Sequence, residues 1–480
     1  MYSKVMTINF DNLKGQIIEV EASIRKGMVA FFIGGKVNFS MKESKERIKS
    51  AFKNSSIKFP HGNITINLSP ANFKKQGTHF DLPIAVSILS ARGLIIPDRD
   101  TIFIGELNLE GKLMPIKNPL KFVKFAKDNN YKRIILPKGD YGYISIIKGL
   151  EILYAEDLKG VVKIIEGKKE DNYDLKYIVE NQIDYEININ DIINQHRLIR
   201  ALIIAISGRH SILIKGPIGS GKSKSIKAIQ SVVPELDDEQ KVEMTILSNL
   251  NEDFGFVKYP RFVNIDLHSK IKDLIGTTNN IGKIFFAKYG FLIMDELNLY
   301  SSGMLDKIKG IVEDGEDKNF YHNITVLATM NPCPCGNLGQ KDIKCVCKIS
   351  EIERHNKKID QALLDRFQIK ISIDRVDLSN FQSNDYDIEI IRTKISNSWD
   401  MQKIRYNSNK MANGNIEFNK INEYFNISKN ALKILKNISI ANNYSKRKYD
   451  NVLKIARTIA DYENCQTVDD KHIYEAISYQ

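Results

Sequence analysis

The pattern with the most specific chemistry is the glycine-rich octapeptide GPIGSGKS at positions 216–223. It follows an apolar run at 211–215 and precedes a helix-forming segment, which is the strand–loop–helix context of a phosphate-binding P-loop. Its glycines let successive backbone N–H groups converge on phosphate oxygens, and the dipole of the following helix attracts the same anion. We expect Lys222 to contact the β and γ phosphates of ATP and Ser223 to place its hydroxyl on Mg²⁺. The nucleotide-binding residues predicted in this loop are Gly216, Pro217, Ile218, Gly219, Ser220, Gly221, Lys222 and Ser223.

An acidic pair and an asparagine end two further apolar segments. Asp295 and Glu296 close the run 290–294, and Asn331 closes the segment 324–331. We expect Asp295 to hold Mg²⁺ beside Ser223, and Glu296 to activate the attacking water as a general base. The amide of Asn331 would orient that water, and capping of the next turn is the alternative role. Together with the P-loop, these residues predict binding and hydrolysis of ATP.

Four of the five cysteines lie within 15 residues, as the pairs Cys333-Pro-Cys335 and Cys345-Val-Cys347. Structural zinc sites usually use pairs with two to four residues between the thiolates, so C-x-C is a tighter spacing. Three interpretations stay open at this point: a zinc site formed by all four thiolates, a reduced and redox-sensitive thiol cluster, and an iron–sulfur cluster.

These segments need a scaffold of parallel strands covered on both faces, because the three apolar runs show no polar alternation. Residues 187–373 are therefore predicted to form an α/β ATPase core with a parallel sheet. Residues 374–480 are predicted to form a helical domain, polar at 375–387 and helical almost throughout from about residue 388. Residues 1–167 alternate short strands and helices around one hairpin, which predicts a separate mixed α/β domain. The charged, aperiodic stretch 168–186 between them is the predicted linker.

Composition limits the remaining function classes. The chain has 480 residues, 42% hydrophobic and 27% charged, which excludes wholesale disorder. It has neither an apolar run long enough to span a bilayer nor an amino-terminal apolar segment, so we expect a cytoplasmic protein without a membrane partner. The net charge of +12 is compatible with a nucleic-acid partner. General lysine richness is an equally good explanation of that charge.

The complete set of motifs resembles the magnesium-chelatase-like AAA+ ATPases of the YifB/ComM type. The resemblance rests on the P-loop and the Asp-Glu pair, on ATMNPCPCG at 328–336 and on ALLDRF at 362–367. It extends to the segment 41–89 near the amino terminus and to YSKRKYDNVLKIARTIADYE at 444–463. It therefore covers nearly the whole chain in the right order. It implies a P-loop AAA+ αβα sandwich, a helical lid at 374–480 and an amino-terminal domain similar to the Lon protease domain.

The resemblance also implies roles for single residues. Asn331 is similar to the sensor-1 residue, and Arg366 resembles the arginine finger, which reaches the ATP of a neighbouring subunit. Arg447 resembles the sensor-2 arginine of the lid, which contacts the γ-phosphate in cis. The segment 77–83 matches the nucleophile loop of Lon-type peptidases but contains no serine, so we expect a non-proteolytic domain.

A site completed by a neighbouring subunit implies a ring, usually a homohexamer in such ATPases. The resemblance implies an ATP-driven motor that performs DNA translocation or branch migration, on single-stranded or branched DNA, in recombination of transforming DNA. The alternative is ATP-dependent remodelling of a protein or of a metal-chelatase-like complex. The implied cofactors are ATP and Mg²⁺, with Zn²⁺ added if the four cysteines bind it.

Overall fold

The computed structural model describes residues 1–11, 13–34, 39–70, 75, 77–139, 141–168, 185–251, 255–277, 281–312, 324–340, 343–375 and 385–480. Most of the predicted linker 168–186 lies outside these residues. The chain forms two compact units. The first consists of Met1–Asn181 with Ser248–Phe256, and the second of Gln182–Leu247 with Val257–Gln480.

The first unit is a mixed α/β domain, as the alternation of short strands and helices predicts. Its strands are β1 (Tyr2–Asp11), β2 (Lys14–Arg25), β3 (Ala30–Gly34), β4 (Asn63–Ser69), β5 (Thr101–Phe103), β6 (Glu106–Leu107), β7 (Leu113–Met114), β8 (Arg133–Pro137) and β9 (Glu151–Ala155). Its helices are α1 (Phe39–Asn54), α2 (Asp81–Ala91), α3 (Pro119–Asp128) and α4 (Leu158–Ile165).

Seven of these strands form one sheet in the order β3-β4-β2-β1-β5-β8-β9, and β6 and β7 form the predicted hairpin. Strands β1, β2 and β4 pair in antiparallel fashion, whereas β5, β8 and β9 are parallel. Helix α2 is buried almost throughout and packs on β1 and β2. Its mostly apolar sequence follows from this position, because nearly every residue of the helix is buried.

The second unit contains the ATPase core and the helical tail. Its strands are β10 (Ile212–Lys215), β11 (Phe262–Asn264), β12 (Phe291–Met294), β13 (Thr325–Met330) and β14 (Ile369–Ser372). The helices before β14 are α5 (His196–Gly208), α6 (Lys222–Ala228), α7 (Asp238–Ser248), α8 (Ile271–Ile275), α9 (Lys283–Phe286), α10 (Ser302–Val312), α11 (Ile349–Lys357) and α12 (Gln361–Leu364). The tail contributes α13 (Ile388–Tyr406), α14 (Ile421–Tyr424), α15 (Lys429–Ala441), α16 (Lys446–Tyr462) and α17 (Asp470–Ile477).

The five strands form a wholly parallel sheet in the order β11-β12-β13-β10-β14. Successive residues of β10 belong to different hydrophobic clusters, one on each face of the sheet. Ile212 and Ile214 belong to one hydrophobic cluster, whereas Leu213 between them belongs to the other. Both faces are therefore covered, which confirms the prediction made from the apolar runs.

Helix α16 joins the tail to the ATPase core, since it packs against α5, α13 and α17. Its buried Asp461 is paired: the carboxylate accepts from Arg457 of the same helix and from Arg405 of α13. Pairing of this kind offsets the cost of burying ionised groups. Among the described residues, no helix combines the length and the apolar character that crossing a membrane requires.

Candidate active site

The P-loop connects β10 to α6, and Lys222 is the first residue of that helix. Gly219 and Gly221 have φ values of 77° and 88°, in the left-handed region that favours glycine. The glycine spacing of the motif therefore has a direct conformational cause. The loop ends on the amino terminus of α6, where backbone N–H groups and the helix dipole favour a phosphate.

The Lys222 ammonium lies inside the loop that precedes it. Its Nζ donates to the carbonyl oxygens of Gly216 at 2.7 Å and Pro217 at 2.8 Å, and to Asn331 Oδ1 at 3.0 Å. The side chain is buried, and burial lowers the pKa of Lys222, while the carboxylates of Asp295 and Glu296 act in the opposite direction. A phosphate oxygen placed here would meet a partly desolvated cation with three donor hydrogens.

The predicted magnesium ligands lie in direct contact. Ser223 Oγ donates to both carboxylate oxygens of Asp295, at 3.0 and 2.8 Å, and Thr329 Oγ1 donates to Asp295 Oδ1. Ser223 and Asp295 are both exposed. Hydroxyl and carboxylate oxygens at an exposed position are the donor set that Mg²⁺ takes alongside waters and phosphates. The residues therefore fit the ion that the motif implies.

Asn331 connects the lysine to the predicted general base. While its Oδ1 accepts from Lys222, its Nδ2 donates to Glu296 Oε1 at 3.0 Å. Asn331 is in turn held by His355, whose Nε2 contacts the Asn331 carbonyl at 3.1 Å. Glu296 has a φ of 55°, and its backbone N–H donates to Thr329 Oγ1 at 3.0 Å. The carboxylate is thus positioned from its backbone and from its side chain.

Two residues that make these contacts, Thr329 and His355, are absent from the sequence predictions. Thr329 carried a usable signal, because it lies near the carboxyl end of β13, two residues before Asn331, and extended backbone places such residues on the same side. His355 carried none, since it lies in α11, between the second cysteine pair and the 362–367 motif, and belongs to neither.

The two arginines form a second group. Arg366 follows α12, and its Nη1 donates to the Ala362 carbonyl at 2.7 Å. Burial lowers the pKa of Arg366, and the positive charge of Arg447 adds to this effect. Arg447, in the first turn of α16, therefore lies close enough to Arg366 for the two charges to repel each other. An anion between them would relieve that repulsion.

The four clustered cysteines converge. Cys335 Sγ lies 3.5 Å from Cys333 Sγ and 3.6 Å from Cys345 Sγ, and Cys345 Sγ lies 3.7 Å from Cys333 Sγ. The backbone N–H of Cys335 donates to Cys347 Sγ at 3.3 Å. All four sulfurs lie within 4.8 Å of one another, and none is in a disulfide.

The thiols differ in acidity because backbone hydrogen bonds, burial and the neighbouring sulfurs act on each of them to a different extent. Backbone N–H groups of Asn337 and Val346 lower the pKa of Cys335 to about 6. The backbone N–H of Cys335 stabilises the Cys347 thiolate, but burial and the neighbouring sulfurs outweigh it and raise the pKa of Cys347 to about 12. One thiolate in the group thus opposes the formation of the next.

The loop that matches the Lon nucleophile segment lies in the first unit. His79 is packed against Phe80 and Phe122, and one ring nitrogen contacts the Ile8 carbonyl at 3.0 Å. Burial lowers the pKa of His79 to about 4; the Ile8 hydrogen bond opposes this shift, and the charge of Lys121 adds to it. Lys121 is therefore close to this loop, but the neighbouring loop residue, His79, is half-buried and neutral.

Comparison with known proteins gives matches over most of the chain. Three family profiles match in order: subunit ChlI of Mg-chelatase at residues 20–140, magnesium chelatase subunit ChlI at 188–381, and the ChlI carboxy-terminal region at 387–480. Competence protein ComM of Haemophilus influenzae is 26% identical over 98% of this chain and 95% of its own length.

Two further relatives are informative. Protein YifB of Escherichia coli is 26% identical over 96% of this chain and 94% of its own length. Lon protease 1 of Myxococcus xanthus is 24% identical over only 28% of this chain and 18% of its own length. The matches to ComM and YifB therefore cover both units, whereas the match to the protease covers a limited segment.

Proposed function

Because this chain belongs to the magnesium-chelatase-like AAA+ family that includes ComM and YifB, we propose that it is an ATPase. One observation carries the proposal: Asn331 joins Lys222 of the P-loop to Glu296 of the acidic pair through two side-chain hydrogen bonds. A phosphate-binding cation, a general base and the amide that orients them thus occupy one site. This is the arrangement that hydrolysis of a γ-phosphate requires.

The residues divide the chemistry among them. The P-loop and Lys222 bind the phosphates, and Ser223 with Asp295 would hold Mg²⁺, which neutralises phosphate charge when bound. Glu296 accepts the proton of the attacking water, and Asn331 fixes the direction of that carboxylate. Arg366 supplies positive charge to the ATP of a neighbouring subunit in a homohexameric ring, where a guanidinium stabilises the charge of the transition state. The resemblance implies a cis role for Arg447, but we propose that it serves the same neighbouring ATP, because its charge acts on Arg366 within one chain.

The first experiment compares ATP hydrolysis and ATP affinity in Lys222→Ala and Lys224→Ala. Lys224 is the matched control, since it lies two residues further along α6, is exposed, and donates to the Asp191 carbonyl instead. Lys222→Ala should lose nucleotide binding and turnover, and Lys224→Ala should keep both. Undiminished ATP affinity in Lys222→Ala would contradict the assignment.

We further propose that hydrolysis drives translocation or branch migration on DNA in the cytoplasm, during recombination of transforming DNA. The support is the net charge of +12 and the similarity to a competence protein over almost the whole chain. Single-stranded or branched DNA should raise the ATPase rate, and this rise should weaken steeply with salt. A rate unaffected by DNA at low salt would favour the alternative, remodelling of a protein or a metal-chelatase-like complex.

The first unit is proposed to be a non-proteolytic accessory domain. His79 occupies the loop in which a Lon-type peptidase needs a serine, and the Thr78 hydroxyl donates to the Glu106 carboxylate. Casein should therefore stay intact in the presence of the protein and ATP. Degradation that disappears in Lys121→Ala would overturn this interpretation.

A further inference from the structure

We propose that the four clustered cysteines bind one Zn²⁺ in a closed tetrahedral site, and that this site holds the P-loop in its binding conformation. The ligands are Cys333, Cys335, Cys345 and Cys347.

The spacing of the sulfurs agrees with a single ion. With a Zn–S distance of about 2.3 Å, a regular tetrahedron has sulfur–sulfur edges of about 3.8 Å. The three distances among Cys333, Cys335 and Cys345 are 3.5, 3.6 and 3.7 Å. An iron–sulfur cluster places several atoms between its thiolates and so needs them further apart than one ion does.

The backbone around the sulfurs is arranged for thiolates. Besides the Cys335 N–H that donates to Cys347, the Leu338 N–H donates to Cys333 Sγ at 3.3 Å. Such hydrogen bonds orient metal ligands and stabilise their negative charge. Four sulfur ligands leave no open position for water or substrate, so the site is structural and not catalytic.

The segment between the two cysteine pairs closes directly on the P-loop. The Ile218 N–H donates to the Gly336 carbonyl at 3.0 Å, and Gln340 Nε2 donates to the Ile218 carbonyl at 3.4 Å. Both backbone groups of one P-loop residue are thus held by the cysteine segment. Gly336 has a φ of 72°, and a Cβ there would lie 2.3 Å from Ile218 Cγ1, so the contact depends on glycine.

Cys333 itself is two residues beyond Asn331 in the chain. A metal at these thiolates would therefore fix Asn331, which directly follows β13, and the middle of the P-loop at the same time. Loss of the metal should release both, and nucleotide affinity should fall as a result.

Among the residues that the structure describes, a second cluster of metal-binding residue types is less suitable. It consists of Glu463, Cys465 and His472, but Glu463 already forms ion pairs with Arg200 and Lys471. Two cations beside the carboxylate disfavour a third. Cys465 therefore provides a matched control for the proposed site.

The first test is the metal content of the full chain, purified without chelators and measured by elemental analysis. Wild type and Cys465→Ser should contain about one zinc per chain, and the double variant Cys345→Ser/Cys347→Ser should contain only background metal. Cobalt substitution of the wild type should give the strong visible absorption of a tetrahedral thiolate site. Metal-free wild type, iron with inorganic sulfide, or zinc retained by the double variant would each overturn the proposal.

The second test measures nucleotide affinity and therefore rests on the proposed function. The first test, of metal content, does not depend on nucleotide binding. Gln340→Ala removes one hydrogen bond to Ile218 and leaves the cysteines unchanged. It should keep its zinc and lose about two- to tenfold in affinity for a fluorescent ATP analogue. Gly336→Ala should keep zinc and lose more, because its Cβ meets Ile218.

Equal ATP-analogue affinity in the zinc-loaded protein and in folded, zinc-depleted protein would refute the role of the site at the P-loop. Absence of ATP binding in the wild type, with zinc still present, would instead refute the proposed ATPase and leave the metal site standing.

Discussion

Arg366 and Arg447 lie close together, and their roles can be tested by mixing variant chains that are each inactive alone. If both guanidinium groups serve the ATP of the next subunit, a chain that lacks either one still has an intact P-loop. A Lys222→Ala chain has the opposite defect, since it offers both arginines but binds no nucleotide. Mixed rings should therefore contain some interfaces at which an intact P-loop meets intact arginines.

The size of the recovery follows from the closed ring. In an equal mixture, an interface is complete when the arginine variant occupies the side that binds ATP and Lys222→Ala occupies the side that supplies the arginines. This occurs at about one quarter of the interfaces, whatever the number of subunits. The arginine variant alone should be about 10³ to 10⁵ times slower than wild type, because that is the contribution of an arginine finger, and Lys222→Ala alone should be inactive because it binds no nucleotide. Recovery to about a quarter of the wild-type rate is thus far above the background.

A second mixture separates the two arginines. If Arg447 acts in cis, as the resemblance implies, Arg447→Ala mixed with Lys222→Ala stays inactive, but Arg447→Ala mixed with Arg366→Ala recovers. If it acts with Arg366 in trans, the two outcomes are reversed. We expect the trans result, because the charge of Arg447 reaches Arg366 within one chain.

The assay is ATP hydrolysis by mixtures whose co-assembly is verified with two affinity tags. Arg354→Ala serves as the control, since this exposed arginine of α11 should be dispensable. Co-assembled Arg366→Ala and Lys222→Ala chains that remain at the background rate would refute the trans role of Arg366.

Two further predictions concern single residues. Glu296→Gln keeps an oxygen that can accept from Asn331, so ATP should bind as in wild type while turnover falls about 10²- to 10⁴-fold, equivalent to about 2.7 to 5.5 kcal/mol; loss of binding would contradict the general-base role. His210 is buried between Gln368 and Thr458, and burial lowers its pKa to about 4 from 6.5. The unfolded chain therefore binds an extra proton between these pH values, and stability should decrease as the pH falls. From pH 7.5 to 5.5 this histidine should cost about 1.3 kcal/mol of unfolding free energy, measured with urea, and His210→Gln should reduce the loss by that amount. An unchanged pH dependence in the variant would exclude this cause.

The local structure of the candidate site that follows from the sequence is encoded by contiguous residues. The P-loop is a local motif. Its glycines and the start of the helix at Lys222 lie within one octapeptide, and its strand directly precedes that octapeptide. The parallel sheet is equally predictable, because apolar runs without alternation indicate strands buried on both faces. Asp295 reaches Ser223 because β12 and β10 are parallel strands separated only by β13, so their carboxyl ends lie at one edge.

The parts that the sequence does not reveal depend on contacts between distant segments. An amphipathic helix shows which face is buried but does not name its partner, so α16 could not be assigned to the core of α5 and α13 in advance. The cysteine spacing likewise suggests a metal without showing that the intervening residues hold Ile218. These contacts arise only when the sheet brings the segment after β13 against the segment after β10.

The sheet order also explains why the cysteines lie beside the predicted nucleotide-binding residues. Strands β10 and β13 are neighbours in the sheet, and Lys215 is paired with Met330. The chain leaves β10 into the P-loop and leaves β13 into Asn331 and the first cysteine pair, so two segments far apart in sequence emerge side by side. Asn331 then contacts Lys222, and three residues beyond Cys333 the Gly336 carbonyl receives the Ile218 N–H. A strand register fixed by apolar packing thus sets both contacts, and the cysteine segment meets the P-loop at the backbone of Ile218.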